Sequence, residues 1–497
     1  MTKPRVLIVG LDGATWGVLE RQIHAGTMPF LADLHAEGTH GVLQSTLPPL
    51  TPPAWATFQT GVNPGQHGVY DFVQHTCGGY DTSYVSSLSL RHPTVWELLS
   101  ELGLRLVVVG VPLTYPPQPI RGAMVAGLLS PGPRSAFTYP PELKHEILRS
   151  LGTYRFLAPQ EVFFQKGLAR FLDGLLEAER THFGAAQLLM ARQDWDVAMI
   201  QVQSLDNLQH ALWPALDPHH EAYREHEALQ VSRFFRTVDA WIQELHETAG
   251  PGIHTIILSD HGFGPLKRTV YLEEWLSRES YFELRRHSLR ARSVRSLMRI
   301  VQRVDTKQLR RWLIGNQRRE SLSAAIRRET IDWTRCQAYV RGSALYGAIR
   351  FNVRGREPAG TVLPADMPHV SDDLMRKLSE LRDPGNGQPV VKRIHRTEDI
   401  YSGACLADAP DLLVEPTDGY VFTRGSHPKH KLLETAVYGR DVVGTHRREG
   451  IYLLHGPAAA AGEGPGAEIL DMAPTLFTLL GLEPPTSFEG SPLTLEP

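Results

Sequence analysis

Cysteine is scarce in this chain. The three cysteines among 497 residues, Cys77, Cys336 and Cys405, lie far apart and form no CxxC pair. This spacing argues against a disulfide scaffold and against a zinc site made of thiolates. A low cysteine content also suits a reducing compartment, so we expect a cytoplasmic protein.

Long hydrophobic runs and a strong net charge are missing as well. The first residues, MTKPRVLIVGLDG, run directly into a strand pattern without the apolar region of a signal peptide. No apolar run is long enough to span a bilayer. The formal net charge is −3, with 42% hydrophobic and 21% charged residues. We therefore expect no transmembrane segment and no nucleic-acid polymer as a partner, while the oligomeric state stays open.

Short apolar runs alternate with longer helical patterns along the chain. The strands that this pattern predicts include 5–12, 104–110, 196–204 and 254–260, with further strands at AMVAGLL, PDLLVEP and REGIYLLHGP. The main predicted helices are 160–192, 217–247 and 468–482. Such alternation predicts an α/β fold with a mostly parallel sheet and helices on both faces.

The chain is too long for one simple core. We expect a core formed by 1–275 and 395–497, with an inserted cap or lid at 276–394. Within the insertion, 285–328 holds fourteen Lys or Arg against two Asp or Glu. Its apolar residues recur at helical spacing, so the favoured interpretation is a solvated face of a basic amphipathic helix. A lid that attracts anionic substrates and a patch for acidic membrane are the alternatives.

Four prolines surround a single hydroxyl residue, Thr51, in the stretch LPPLTPPAW at 47–55. One interpretation is a proline-rich turn or polyproline segment. The other is a nucleophile at the start of a helix, where free backbone amides and the helix dipole favour an anion such as phosphate. The choice depends on whether other residues of the chain could activate an alcohol.

Acidic residues stand at or just beyond the ends of three predicted strands. Asp12 ends the first, Asp206 follows the third, and Asp260 with His261 ends the fourth. Because ligands bind beyond the carboxyl ends of parallel strands, these side chains could converge. His210 comes four residues after Asp206, a spacing that places both on one face of a helix.

A seventh candidate is His446, predicted in a loop just before a strand in GTHRREGIYLL. Carboxylates and imidazoles suit zinc, manganese or iron. Three aspartates, three histidines and Thr51 are enough for two metals that share a site, and a metal would lower the pKa of the Thr51 hydroxyl.

Each candidate also has a structural interpretation. Asp12 could cap a helix, Asp206 and His210 could form a surface pair, and Asp260 and His261 could be turn residues. His446 by itself is more often structural than a ligand. Further candidates rank behind these seven residues; they are His67, Arg447, His427 and His430.

Ordered motifs along nearly the whole chain resemble the alkaline phosphatase superfamily, in its type I phosphodiesterase/nucleotide pyrophosphatase branch. The likeness is greatest to bacterial and archaeal proteins described as predicted phosphohydrolases or phosphomutases. The matching stretches are VLIVGLDGAT, LTPPAWATFQTGVNPGQHGVYDF, VGVPLTYPP, QSLDNLQHALW, SDHGFGP, VRGREPAGTV, GTHRREGIYLLHGP and EILDMAPTLFTLLGL. The resemblance implies a three-layer α/β/α alkaline-phosphatase-like core.

The resemblance also implies roles for the seven residues. One metal would be bound by Asp12, Thr51, Asp260 and His261. The other would be bound by Asp206, His210 and His446. Thr51 would attack phosphorus to give a phosphothreonine, which water then hydrolyses. Zinc is usual in the phosphodiesterase branch and manganese in the mutase branch.

Two departures from related patterns are visible. Nucleotide pyrophosphatases usually place an asparagine shortly after the HG of the nucleophile helix, where this chain has Asp71 and Phe72. Sulfatases of the superfamily need a C/S-x-P-x-R frame, and Thr51-Pro52-Pro53-Ala54-Trp55 lacks both its Cys or Ser and its Arg. A formylglycine sulfatase is therefore not expected.

The expected function is a metal-dependent phosphohydrolase that acts on a small phosphorylated substrate through a phosphodiester, pyrophosphate or phosphomonoester bond. A phosphomutase on the same site is the first alternative. A catalytically silent protein that binds a phosphorylated ligand is the second.

Overall fold

The computed structural model describes residues 4–75, 79–158, 161–285, 327, 330–342, 344–425, 427 and 429–494. The chain divides into two compact units. The first comprises Met1–Val69, Ser86–Lys267 and Ala436–Pro497, and the second comprises Tyr70–Val85 and Arg268–Thr435. The second unit is larger than the insertion predicted at 276–394, because 70–85 and 395–435 pack with it. The role of a cap or lid stays a prediction, and the basic segment 285–328 lies outside the described residues apart from Arg285 and Arg327.

One sheet of ten strands forms the centre of the first unit. Numbered in chain order through both units, its strands are β1 (Val6–Leu11), β2 (Thr39–Gln44), β5 (Leu106–Val109), β6 (Gly122–Val125), β7 (Thr138–Tyr139), β8 (Val197–Val202), β9 (His254–Leu258), β20 (Glu449–His455), β21 (Gly462–Glu463) and β22 (Ala467–Glu468). Their order is β21–β2–β20–β9–β1–β8–β5–β6–β7, with β22 also paired to β2. The run β9–β1–β8–β5–β6 is parallel, whereas β20 and β7 are antiparallel to their neighbours.

Helices cover both faces of this sheet. They are α1 (Trp16–His24), α2 (Pro29–Glu37), α3 (Thr51–Thr60), α4 (Pro64–His67), α5 (Val95–Glu101), α6 (Leu143–Leu151), α7 (Glu161–Lys166), α8 (Leu168–Arg192), α9 (Ser204–Leu216), α10 (Glu225–Ala249) and α14 (Met472–Leu479). Alternate side chains of β1 enter different cores: Leu7 and Val9 pack with α2, α8, α9 and α10, and Val6 and Ile8 pack with α3, α5 and α14. A strand buried on both faces is apolar throughout, as the continuous run VLIVGL indicates. The predicted α/β/α architecture is confirmed.

The predicted helix limits are partly wrong. The helix expected at 217–247 begins only at Glu225, because 217–223 forms turns closed by backbone bonds from His220 to Asp217 and from Tyr223 to His220. The helix expected at 160–192 is divided at Gly167, whose φ of 78° suits glycine and interrupts the helix. The last predicted helix starts as a 3₁₀ turn, Ile469–Asp471, before α14.

The second unit contains smaller sheets around its own apolar core. Its strands are β3 (Val73–His75), β4 (Thr82–Tyr84), β11 (Arg268–Tyr271), β12 (Ala338–Val340), β13 (Ala344–Leu345), β14 (Gly347–Phe351), β15 (Val391–Arg396), β16 (Leu412–Pro416), β17 (Tyr420–Thr423) and β18 (Leu433–Thr435). Its helices are α11 (Leu272–Arg278), α12 (Met367–Ser379) and α13 (Thr397–Ile400). The β3–β4 hairpin is anchored by Tyr80, whose ring stacks on Trp333 at 3.6 Å and whose hydroxyl donates to Asn352 Oδ1. This contact explains why 70–85 belongs to the second unit.

None of the helices in the described part of the chain combines the length and the apolar composition that a bilayer crossing requires.

Candidate metal centre

The sheet order brings the three acidic strand ends together. β1 lies between β8 and β9, so their carboxyl ends are neighbours at one edge. Asp12 follows β1, Asp260 follows β9, and Asp206 lies in the first turn of α9, which begins just after β8. All three carboxylates are buried. The predicted convergence of these strand ends is confirmed.

The first group consists of Asp12, Asp260 and His261, whose ligand atoms all lie within 4.8 Å of one another. His261 Nε2 is 3.3 Å from Asp260 Oδ2 and 3.6 Å from Asp12 Oδ1. Thr51 joins the group, because its Oγ1 is 3.4 Å from His261 Nε2.

Thr51 is the first residue of α3 and is buried, as the nucleophile interpretation requires. The expectation of several free amides at this helix start is wrong. Pro52 and Pro53 have no N–H, and the Ala54 N–H donates to the Leu50 carbonyl. In the described part of the chain, only the Thr51 amide is left among these four residues to contact an anion.

The second group consists of Asp206, His210 and His446, whose ligand atoms also lie within 4.8 Å of one another. Asp206 Oδ1 is 3.3 Å from His210 Nε2 and 3.1 Å from His446 Nε2, and the two nitrogens are 3.1 Å apart. The helical spacing predicted for Asp206 and His210 is confirmed. The loop predicted for His446 is wrong: it lies in β19 (Gly444–Arg447), which pairs with β10 (Gly262–Pro265).

Backbone carbonyls fix the tautomer of all three histidines. The Nδ1–H group of His210 donates to the Gly444 carbonyl and that of His446 to the Pro49 carbonyl, both at 2.8 Å. The Nδ1–H group of His261 donates to the Gly262 carbonyl at 3.1 Å. A carbonyl only accepts, so each Nδ1 carries a proton, and in the neutral form of each ring the lone pair that a cation can use is on Nε2.

In each carboxylate of the first group, one oxygen accepts hydrogen bonds and the other does not. Asp12 Oδ2 accepts from Trp55 Nε1 at 3.0 Å and Gln201 Nε2 at 2.7 Å, and Asp260 Oδ1 accepts from the Gly13 amide at 3.1 Å. Asp12 Oδ1 and Asp260 Oδ2 are buried and have no hydrogen-bond partner among the described residues. Buried acceptors without donors are unfavourable. These oxygens and the free Nε2 atoms therefore fit divalent cations, which accept electron pairs from both kinds of ligand.

Burial and neighbouring charges shift the pKa values of the side chains in both groups. Burial raises the pKa of Asp12 and of Asp260, and neighbouring carboxylates raise both further. Burial also lowers the pKa of His261, which keeps its imidazole neutral. For Asp206, burial acts in the raising direction, but His210 and His446 outweigh it and the pKa is lowered.

The family model for type I phosphodiesterase / nucleotide pyrophosphatase matches residues 6–450 of the chain. The chain belongs to this family. It is therefore a hydrolase that acts on phosphoester bonds, in a metal-dependent family of the alkaline phosphatase superfamily. None of the curated proteins is similar enough in sequence to count as a match.

Solved structures share the fold of this phosphodiesterase family member. Phosphonoacetate hydrolase from Sinorhizobium meliloti 1021, in complex with phosphonoformate or phosphonoacetate, is 14% identical with a TM-score of 0.58. The match covers 96% of this chain and 95% of that chain. Human ectonucleotide pyrophosphatase / phosphodiesterase 5 is 14% identical with a TM-score of 0.53, over 98% of this chain and 97% of that chain. At this identity the likeness supports the fold alone.

Two side chains that hold Asp12 were missed in the sequence. Trp55 lies four residues after Thr51 on α3, so its indole faces the same side of the helix as the hydroxyl. Gln201 is the one polar residue in β8, an otherwise apolar buried strand. A polar side chain in such a strand needs a hydrogen-bond partner. Its presence in the apolar run therefore indicated a polar contact that the sequence analysis could have looked for.

The four lower-ranked candidates do not join either group. His67 is buried, its Nδ1 accepts from the Val69 amide, and its Nε2–H donates to Thr57 Oγ1, while burial lowers its pKa to about 3. Arg447 donates to the carbonyls of His446 and Pro265. His427 and His430 belong to the second unit, beside Glu434 and Glu274.

The chain leaves no room for a side chain just after His261. A Cβ added at Gly262 would lie 1.8 Å from the Glu449 carbonyl oxygen. Gly262→Ala is expected to displace β10 and His261 and to destabilise the fold by about 1–3 kcal/mol, together with a loss of bound metal. Thermal unfolding and metal analysis measure both effects. Gly17→Ala in α1 is the control, because nothing lies within 4 Å of its added Cβ; equal melting temperatures for the two variants would contradict the prediction.

Proposed function

We propose that the protein is a two-metal phosphohydrolase that cleaves a small phosphodiester, pyrophosphate or phosphomonoester through a phosphothreonine formed at Thr51. The observation that carries this proposal is that six potential metal ligands form two groups of three, with the buried Thr51 hydroxyl beside one of the groups.

The two groups of side chains supply the residues that would hold each ion. Asp12, Asp260 and His261, together with Thr51, would hold one divalent cation. Asp206, His210 and His446 would hold the other. Imidazole and carboxylate ligands suit zinc, and also manganese. When bound, the cations would neutralise phosphoryl oxygens and lower the pKa of the Thr51 hydroxyl.

The side chains of the protein would then carry the reaction in two displacements. Thr51 Oγ1 attacks phosphorus and loses its proton, while the bond from phosphorus to the leaving-group oxygen breaks and that oxygen takes up a proton. Water then attacks the phosphothreonine, releases the phosphate product and returns the Thr51 hydroxyl. Trp55 and Gln201 keep Asp12 fixed throughout, because both donate to its Oδ2.

The family and the printed ligands of one solved structure support a small phosphorylated substrate. The phosphonoacetate hydrolase of Sinorhizobium meliloti 1021 is described with small phosphonates bound. A phosphonate carries a phosphoryl group with the same oxygen chemistry as a phosphate ester, which supports a small phosphorylated substrate here.

Side-by-side hydrolysis of bis-p-nitrophenyl phosphate and p-nitrophenyl phosphate tests the proposal. Protein stripped of metal is expected to be inactive, and reloading with zinc or manganese is expected to restore turnover of at least one substrate. Diester turnover would identify a phosphodiesterase, and turnover of the monoester alone would identify a phosphatase. Equal rates before and after reloading, or no turnover of either ester with two metals bound, would contradict the proposal.

A further inference from the structure

A carboxylate outside the two ligand groups lies at the start of the helix that carries Asp206 and His210. Glu179 sits in the middle of α8 and is fully buried. Its Oε1 accepts a hydrogen bond from the Ser204 amide at 2.8 Å. Ser204 is the first residue of α9, so Glu179 caps this helix from a separate element.

The helix has no cap of its own. Gln203, the residue that precedes it, makes no side-chain capping bond. The positive end of a helix attracts an anion, and a carboxylate at this position satisfies an amide that would otherwise lack a partner. A second bond ties the same residue to α8, because Ser204 Oγ donates to the Leu175 carbonyl at 3.4 Å.

A buried carboxylate is an unfavourable choice for packing alone. Glutamate is almost never fully buried unless it is paired, and an apolar side chain of similar volume would avoid the loss of hydration. His182 Nδ1 on the same helix lies 3.3 Å from Glu179 Oε2, but neither atom makes a hydrogen bond among the described residues. The bond from the Ser204 amide to Oε1 is therefore the contact that best accounts for a carboxylate here.

The geometry points to Glu179 as a positioning residue that seats the first turn of α9, so that Asp206 and His210 meet His446 in the second group. This inference rests on the proposed function, in which that group holds a metal. Asp206 is two residues from the capped amide, whereas His446 comes from β19. Metal–ligand distances tolerate errors of only about 0.2 Å, so a small shift of α9 would open the group.

The chain contains a matched control. Asp239 on α10 is also buried and caps another helix, α2, by accepting from the amides of Phe30 at 3.0 Å and Leu31 at 2.9 Å. None of the seven candidate residues lies on α2. Loss of this cap should lower stability without affecting metal binding.

The test compares Glu179→Met, Glu179→Gln and Asp239→Leu by titrating metal-free protein with zinc in competition with a chromophoric chelator. Methionine fills the same volume without an acceptor, and its variant is expected to bind one of two zinc ions about 10–100-fold more weakly. The glutamine variant should recover most of this affinity, because its amide oxygen still accepts from Ser204. Asp239→Leu should lower the melting temperature and leave both affinities unchanged.

The possible outcomes separate the two proposals. Two ions bound as tightly by Glu179→Met as by the wild type would overturn the positioning role alone. Equal losses of zinc in Glu179→Met and Asp239→Leu would also overturn it, because any lost helix cap would then suffice. A wild-type protein that binds fewer than two ions would overturn the two-metal function, and the role of Glu179 with it.

Discussion

Replacing Thr51 with alanine is expected to lower kcat by about 10⁴-fold or more, because the variant has no oxygen to attack phosphorus. Among the described residues, no other hydroxyl makes this contact with His261 Nε2, so none is placed to replace Thr51 as the nucleophile. The decrease in kcat should therefore exceed what weaker substrate binding alone would cause. Initial rates with the better of the two nitrophenyl esters, on metal-loaded protein, measure the effect.

The control for this variant comes from the same helix. Thr60 is also buried, and its Oγ1 donates to the Ala56 carbonyl at 2.7 Å within α3. Thr60→Ala removes the same atoms from the same element and should retain a rate close to wild type. Thr51→Ser keeps a hydroxyl and should retain part of the activity. A Thr51→Ala variant with the rate of Thr60→Ala would assign the attack to a different group.

Much of the site could be predicted because it depends on local pattern and on a general property of parallel sheets. The runs before Asp12, Asp206 and Asp260 are apolar enough to identify buried strands, and the carboxyl ends of such strands meet at one edge. The four-residue spacing of Asp206 and His210 depends only on the helix period. The sequence does not show that these three strands are neighbours; the sheet order β9–β1–β8 supplies that part of the convergence.

The features that the sequence does not predict depend on pairing between residues far apart in the chain. His446 lies in β19 because 444–447 pairs with 262–265, and nothing in the short stretch GTHR predicts that partner. The packing of 70–85 with the second unit also depends on residues far apart in the chain, since Tyr80 contacts Trp333 and Asn352. The sequence also does not show that one oxygen of Asp12 and one of Asp260 lack a hydrogen-bond donor among the described residues. That property depends on which side chains surround each carboxylate in the folded protein.

Replacing His446 with glutamine is expected to remove one of the two metal ions and to abolish most of the turnover. The variant loses the one ligand of the second group that does not come from α9, leaving only Asp206 and His210. Three protein ligands with an open position are typical of catalytic zinc, and two ligands hold the ion much more weakly. Metal analysis after dialysis should give two ions for the wild type and one for the variant.

His67→Gln provides the comparison, because His67 is buried like His446 but both of its nitrogens make hydrogen bonds within the protein. We expect this variant to be less stable, since the Val69 amide or Thr57 Oγ1 would lose its partner, and to bind two ions. If His67→Gln lost metal as His446→Gln does, the loss would report a disturbed fold. If His446→Gln kept two ions, the Nε2 lone pair beside Asp206 Oδ1 would not be a ligand, and the second group would have to be reassigned.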